Sequence, residues 1–136
     1  MNIKPYSQYR EEEILPLYKA VGWSNYYEHP EMVEKAYANS LCILGSFDGD
    51  KPVGIIRAVG DGYSILFIQD ILVHPDYQRR GIGTALMKAL LDRYPHAYQI
   101  ELVTDNTEKT IAFYKSFGFH NLSDIGCCGF MKHGTF

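Results

Sequence analysis

The sequence predicts an α/β or α+β domain, a mixed sheet of about seven strands with four helices on its faces. Three observations lead there. Apolar residues recur at helical spacing in four stretches. Short strand-like runs lie between them, and the run at 64–73 is almost continuously apolar, as the buried centre of a sheet requires. A chain of 136 residues is also long enough to close one core without metals or disulfides.

The elements follow in order. Residues 2–6 read as a first strand. Ile14, Leu17, Tyr18 and Val21 recur behind the acidic turn Glu11-Glu12-Glu13, which predicts a helix over 9–20. Residues 22–27, with Trp23, Tyr26 and Tyr27, form an aromatic loop. Pro30 suits a first helical turn, and Met32, Val33, Ala36 and Tyr37 carry a second helix to about Ser40. Strands at 41–47 and 52–59 flank a hairpin at Asp48-Gly49-Asp50. Asp61-Gly62 marks a turn into the apolar strand, where Gln69-Asp70 is a polar interruption that needs a reason. Residues 74–80 are a loop. Ile82, Leu86, Leu90 and Tyr94, at spacings of four, predict a third helix over 81–94. Residues 98–104 are a strand. A fourth helix covers 107–117, capped by Asp105 or Asn106 and ended by Gly118 in a left-handed turn. Residues 119–123 and 127–132 read as two closing strands. No repeat or linker divides the chain, so 1–136 reads as one domain.

Charge and composition exclude several function classes. The 13 basic and 16 acidic residues leave a net charge of −3, a poor match for gripping a nucleic-acid backbone. One local phosphate site is still compatible with it. No run approaches the roughly 20 apolar residues of a membrane span, and the first residues lack a signal-peptide core. Cys42, Cys127 and Cys128 are odd in number and two are adjacent, which argues against a disulfide framework and for a reducing, cytoplasmic location. Their spacing suits no zinc site, so no metal is expected. Cys127 and Cys128 have no histidine-plus-acid pattern around them and read as buried strand residues.

The sharpest local feature is Gln78-Arg79-Arg80-Gly81-Ile82-Gly83, between a buried strand and a helix. The free N–H groups and positive end of a helix start bind phosphate. Glycines allow close approach to the backbone, and arginines add charge-assisted bonds. Gly83-Thr84-Ala85 lacks the lysine of a P-loop, and Leu86 stands where a dinucleotide fingerprint needs a third small residue. A plain glycine turn with exposed arginines is the bland alternative.

Gln78-x-x-Gly81-x-Gly83 resembles the Gln/Arg-x-x-Gly-x-Gly/Ala motif of the GNAT superfamily, the acyl-CoA-dependent N-acyltransferases. Asn106, Phe113-Tyr114 and Gly118-Phe119 match the family's second pattern, and Asp70-Ile71-Leu72-Val73-His74-Pro75 is similar to its fourth strand. The likeness is close over 68–119 and loose over 1–60. It implies a mostly antiparallel central sheet and an N-acetyltransferase that moves an acetyl group from acetyl-CoA to an amine by direct attack in a ternary complex.

The resemblance also distributes roles. The amides of Arg80, Gly81, Ile82 and Gly83, with Thr84 beside them, would cradle the pyrophosphate, helped by Gln78, Arg79 and Arg80. The pantetheine arm would pair with the backbone of Ile71, Leu72 and Val73, and an N–H there would face the developing oxyanion. Tyr114 matches the tyrosine that protonates the thiolate; its alternative is a packing residue, one of 11 tyrosines. Asn106 would touch the cofactor arm or cap a helix. For the base, Glu101 matches a family position, and Asp70 is a carboxylate in an apolar strand whose burial favours the neutral form. A water chain is the third option. His74 reads as an exposed loop residue. Trp23, Tyr26, Tyr27 and Glu28 would wall the acceptor pocket, as aromatic and acidic groups suit an amine. The acceptor is a small-molecule or peptide amine, and a homodimer is an expectation from the resemblance alone. Two rivals remain: a non-catalytic acyl-CoA sensor of the same fold, and a nucleotide-binding regulatory domain.

Overall fold

Five of the apolar runs become strands in the computed structural model, which describes residues 1–135. The contacts divide the chain into two units, Met1–Leu102 and the residues from Val103 onward.

The first unit holds β1 (Asn2–Pro5), α1 (Glu11–Ala20), α2 (Ser24–Tyr27), α3 (Pro30–Ala38), β2 (Cys42–Asp48), β3 (Lys51–Val59), β4 (Ile65–Val73), α4 (Ile82–Arg93) and β5 (Gln99–Leu102). The sheet order is β1-β2-β3-β4-β5. All neighbours are antiparallel except β4 and β5, which run parallel across the α4 crossover. The β2–β3 turn is made by Gly49-Asp50, with Gly49 at φ 63°, and Asp48 faces Lys51. Such a two-residue turn needs positive φ, which explains the glycine. The next turn is built on Asp61, whose carboxylate accepts the N–H groups of Tyr63 and Ser64 at 2.7 Å each.

Register assigns the two faces. A Cβ on Gly54 would lie 3.1 Å from Ile82 and 3.3 Å from Leu86, so Gly54 and its partner Val73 face α4. The next pair, Ile55 and Leu72, faces the other way and joins Ile14, Leu17, Tyr18, Val33 and Tyr37 of α1 and α3 in one buried cluster. Burying such aliphatic side chains contributes about 1.5–3 kcal/mol each.

The second unit holds α5 (Glu108–Lys115) and a short 3₁₀ turn, Leu122–Ile125. Four expectations change here and in the aromatic loop. The sheet has five strands rather than about seven, because 119–123 and 127–132 form no strand among the described residues. Asn121 accepts the Ser123 N–H at 3.2 Å and Gly126 sits at φ 80°, so turn chemistry takes the first segment. A strand is defined by its partner, and within this unit the second segment has none. Cys127 and Cys128 are therefore exposed rather than packed in a strand. Thr107, not Asp105 or Asn106, caps α5 by accepting the Thr110 N–H at 3.2 Å. The aromatic loop contains a fifth helix, the single turn α2.

Candidate functional site

The polar interruption at Gln69-Asp70 has a geometric cause. Arg57 pairs with Asp70 but Ala58 pairs with Ile68, so Gln69 is a bulge residue in β4. A bulge re-aims the side chains that follow it. Ile68 shares the α4 face with Ala58, whereas Asp70 turns to the α1–α3 face with Arg57. At the same point β4 loses its other neighbour. Pairing with β5 ends at Ile68↔Leu102, while β4 runs on to Val73 against β3. No β5 residue lies opposite Gln69, Asp70, Ile71, Leu72 or Val73. Leu72 buries its side chain in the core and offers only backbone to that edge.

Beyond β4 the chain turns sharply. His74 caps a 3₁₀ turn, Pro75–Tyr77, by accepting the Asp76 N–H at 3.1 Å. Gln78 Nε2 donates to the Val73 carbonyl at 3.1 Å and ties the loop to the end of β4. Tyr77 OH donates to Asp48 Oδ2 at 2.7 Å and ties it to the β2–β3 hairpin. Arg79 adopts φ 64°, the one non-glycine residue at positive φ among those described, and Gly81 follows at φ 76°. Positive φ is uncommon outside glycine and is held only where the surroundings enforce it. Gly81 opens α4 with no side-chain cap, so the first-turn amides of Ile82, Gly83 and Thr84 have no side-chain acceptor. A Cβ on Gly81 would meet nothing within 4 Å. Arg79 and Arg80 are exposed, and the Arg80 guanidinium lies 5.1 Å from the Tyr77 ring. An open turn, uncapped amides and two cations fit a polyphosphate group such as that of coenzyme A.

The α1–α3 face carries a buried polar cluster. Asp70 Oδ2 accepts from Arg57 Nε at 2.7 Å and from Tyr18 OH at 2.8 Å, and Oδ1 accepts from Tyr26 OH at 2.9 Å. Tyr18 and Tyr37 share a hydroxyl hydrogen bond of 2.8 Å. Arg57 Nη1 also donates to Ser40 at 3.1 Å. Burial opposes the Arg57 charge, but the Asp70 carboxylate outweighs it and holds the guanidinium above its ordinary value. Burial raises the phenols of Tyr18, Tyr26 and Tyr37, so all three keep their protons at neutral pH. Asp70 thus has a cation and two phenols around it. Glu101 is half-buried and pairs with Phe67, which places it by register on this same face.

The four acceptor-wall candidates divide. Tyr26 stacks on Tyr18 at 4.6 Å and Trp23 lies 5.7 Å from that ring, so both lean on the core. Tyr27 is half-buried and Glu28 exposed.

In the second unit Tyr114 packs edge-on against Phe113 at 5.1 Å and Phe119 at 6.1 Å. Burial raises its phenol above the ordinary value, opposed by a hydrogen bond with Thr104 and aided by the Asp105 charge. A phenol so placed holds a proton it can donate. Asn106 is exposed.

The family model described as "Acetyltransferase (GNAT) family" matches residues 7–119. The chain belongs to the GNAT family. A GNAT acetyltransferase from Streptococcus pneumoniae TIGR4 has 47% identity and a TM-score of 0.88, over 98% of this chain and 97% of that one. An aminoglycoside 6′-N-acetyltransferase complexed with coenzyme A shares the fold at 18% identity and a TM-score of 0.67, over 87% and 74% of the two chains. A protein named as an uncharacterized N-acetyltransferase, ycf52-like, from Prochlorococcus marinus is 32% identical over 79% of this chain. The chain spans 61% of that relative's length.

Set in the GNAT family, the glycine loop was legible from its motif, and the stretch of β4 beyond its β5 pairing only as the strand that the resemblance would pair with a cofactor arm. Arg57, Tyr18 and Tyr37 were not. Arg57 is a lone arginine in an apolar strand, and that oddity was the one sign available.

Proposed function

We propose that this GNAT protein is an acetyl-CoA-dependent N-acetyltransferase acting on a small-molecule or peptide amine by direct attack in a ternary complex. The observation that carries the reading is the Gln78–Thr84 turn: strained at Arg79, open at Gly81, uncapped at α4, and joined to the β4 edge that β5 leaves unpaired. Acetyl-CoA, when bound, supplies the acyl group as an activated thioester. The chain's own residues do the rest. The amides of Gly81, Ile82 and Gly83 and the guanidinium groups of Arg79 and Arg80 hold the pyrophosphate. Gln78 holds the loop, and the backbone of Ile71, Leu72 and Val73 pairs with the extended arm. Thr84 and Asn106 are the further residues we assign to the cofactor. Tyr114 gives its proton to the departing sulfur. Glu101 is the carboxylate we assign to the amine proton, because Asp70 is already engaged by Arg57, Tyr18 and Tyr26. Tyr27 and Glu28 face the acceptor, and Trp23 and Tyr26, which lean on the core, back that wall.

The test is free-thiol release from acetyl-CoA against a panel of polyamines, aminoglycosides, amino sugars and peptide amines. Turnover with at least one class is expected, and Tyr114→Phe should lower kcat about 100-fold while changing acetyl-CoA affinity by less than about threefold. Coenzyme A binding without any turnover would point to a sensor. No coenzyme A binding would sink the reading.

A further inference from the structure

The Arg57–Asp70 pair is almost wholly buried, at 4% and 2% exposure. A buried ion pair adds little stability over apolar side chains of similar volume, so its presence calls for a second account. The two oxygens of Asp70 point to different partners. Oδ2 is used by Arg57 and by Tyr18 of α1, both internal to the core. Oδ1 is used by Tyr26, and Arg57 Nη2 lies 3.4 Å from the same phenol oxygen. The outward side of the ion pair is thus directed at one residue of α2. That helix is a single turn of four residues with no buried side chain. A helix so short does not hold itself. Ring stacking on Tyr18 leaves Tyr26 able to slide, whereas a hydrogen bond to a fixed carboxylate sets its depth. Gln69 Nε2, on the bulge, lies 3.5 Å from the same phenol oxygen.

We propose that Arg57, Asp70 and Tyr26 form a latch that positions α2, and with it the acceptor wall, against β4 at the bulge where β5 ceases to pair. Arg57 and Asp70 are positioning residues acting through Tyr26. The inference rests on α2 lining the acceptor site of the proposed transferase.

The experiment compares Tyr26→Phe with Tyr6→Phe in the full chain. Tyr6 OH donates to Glu13 at 2.8 Å in the same core, outside the latch, and serves as the matched loss of a tyrosine hydroxyl. Two readouts are taken: KM for the best amine and for acetyl-CoA, and amide hydrogen exchange at residues 24–28. Tyr26→Phe should raise the amine KM about tenfold, the loss of one hydrogen bond to a charged group, and leave the acetyl-CoA KM within about twofold. It should also speed exchange at 24–28 about tenfold, while Tyr6→Phe leaves both readouts near wild type. An unchanged amine KM, unchanged exchange, or equal effects from Tyr6→Phe overturns the latch. If wild type turns over no amine, the transferase reading fails by itself, and unchanged exchange in Tyr26→Phe still overturns the latch.

Discussion

Tyr114, the proton donor we propose, and Asp70 are both shielded from water, but their neighbours differ. Burial raises the Tyr114 phenol above its ordinary value of about 10. A raised acid keeps its proton to higher pH, so the acid form is complete through neutrality. The alkaline fall in kcat caused by Tyr114 should therefore lie above about pH 10, and a pH–rate profile of Tyr114→Phe should lack it. At Asp70 burial is met by Arg57 at 2.7 Å and by two phenols. Removing one member leaves an uncompensated buried charge. Asp70→Asn should cost about 3–5 kcal/mol in urea unfolding, while the double change Arg57→Met with Asp70→Leu should cost less than the single one. Equal or greater loss in the double variant would mean that the pair itself, rather than its broken half, supplies the stability.

At the scale of elements, two glycines separate packing from conformation. Gly54 lets α4 approach β3, since a Cβ would stand 3.1 Å from Ile82 and 3.3 Å from the Leu72 carbonyl. Gly54→Ala should cost about 1–3 kcal/mol by overpacking and leave coenzyme A binding near wild type at temperatures well below its melting point. Gly81 has open space around it and is needed for φ 76°. Gly81→Ala should cost about 1 kcal/mol in stability and weaken coenzyme A binding several-fold, measured by calorimetry. Most elements up to Gly118 were legible, because each is a local pattern: periodicity in α1, α3 and α4, turn chemistry at Gly49 and Asp61, and Gly118 at φ 90° after α5. The two closing strands expected at 119–123 and 127–132 do not form among the described residues, because Asn121 and Gly126 cap a 3₁₀ turn where a strand-like run was read. The bulge at Gln69 was visible only as an interruption, since register is a property of two strands.

At the scale of the whole molecule, a net charge of −3 coexists with a local pair of exposed arginines, Arg79 and Arg80, on the glycine turn. Coenzyme A binding should therefore weaken several-fold between about 0.05 and 0.5 M salt, and Arg79→Ala with Arg80→Ala should flatten that dependence. A salt slope unchanged in the double variant would place the phosphate contacts elsewhere. No helix among the described residues is long and apolar enough to cross a membrane. The amino-acid sequence by itself determined the family, the glycine loop and the Tyr114 motif, because those features are carried by residues close together along the chain. Only the tertiary structure decided what Asp70 does. Its partners Arg57, Tyr26 and Tyr18 stand 13, 44 and 52 positions away, and nothing local says which charge or hydroxyl will meet it. A buried carboxylate takes its chemistry from its neighbours, and folding brings those neighbours from β3, α2 and α1 to one point on β4.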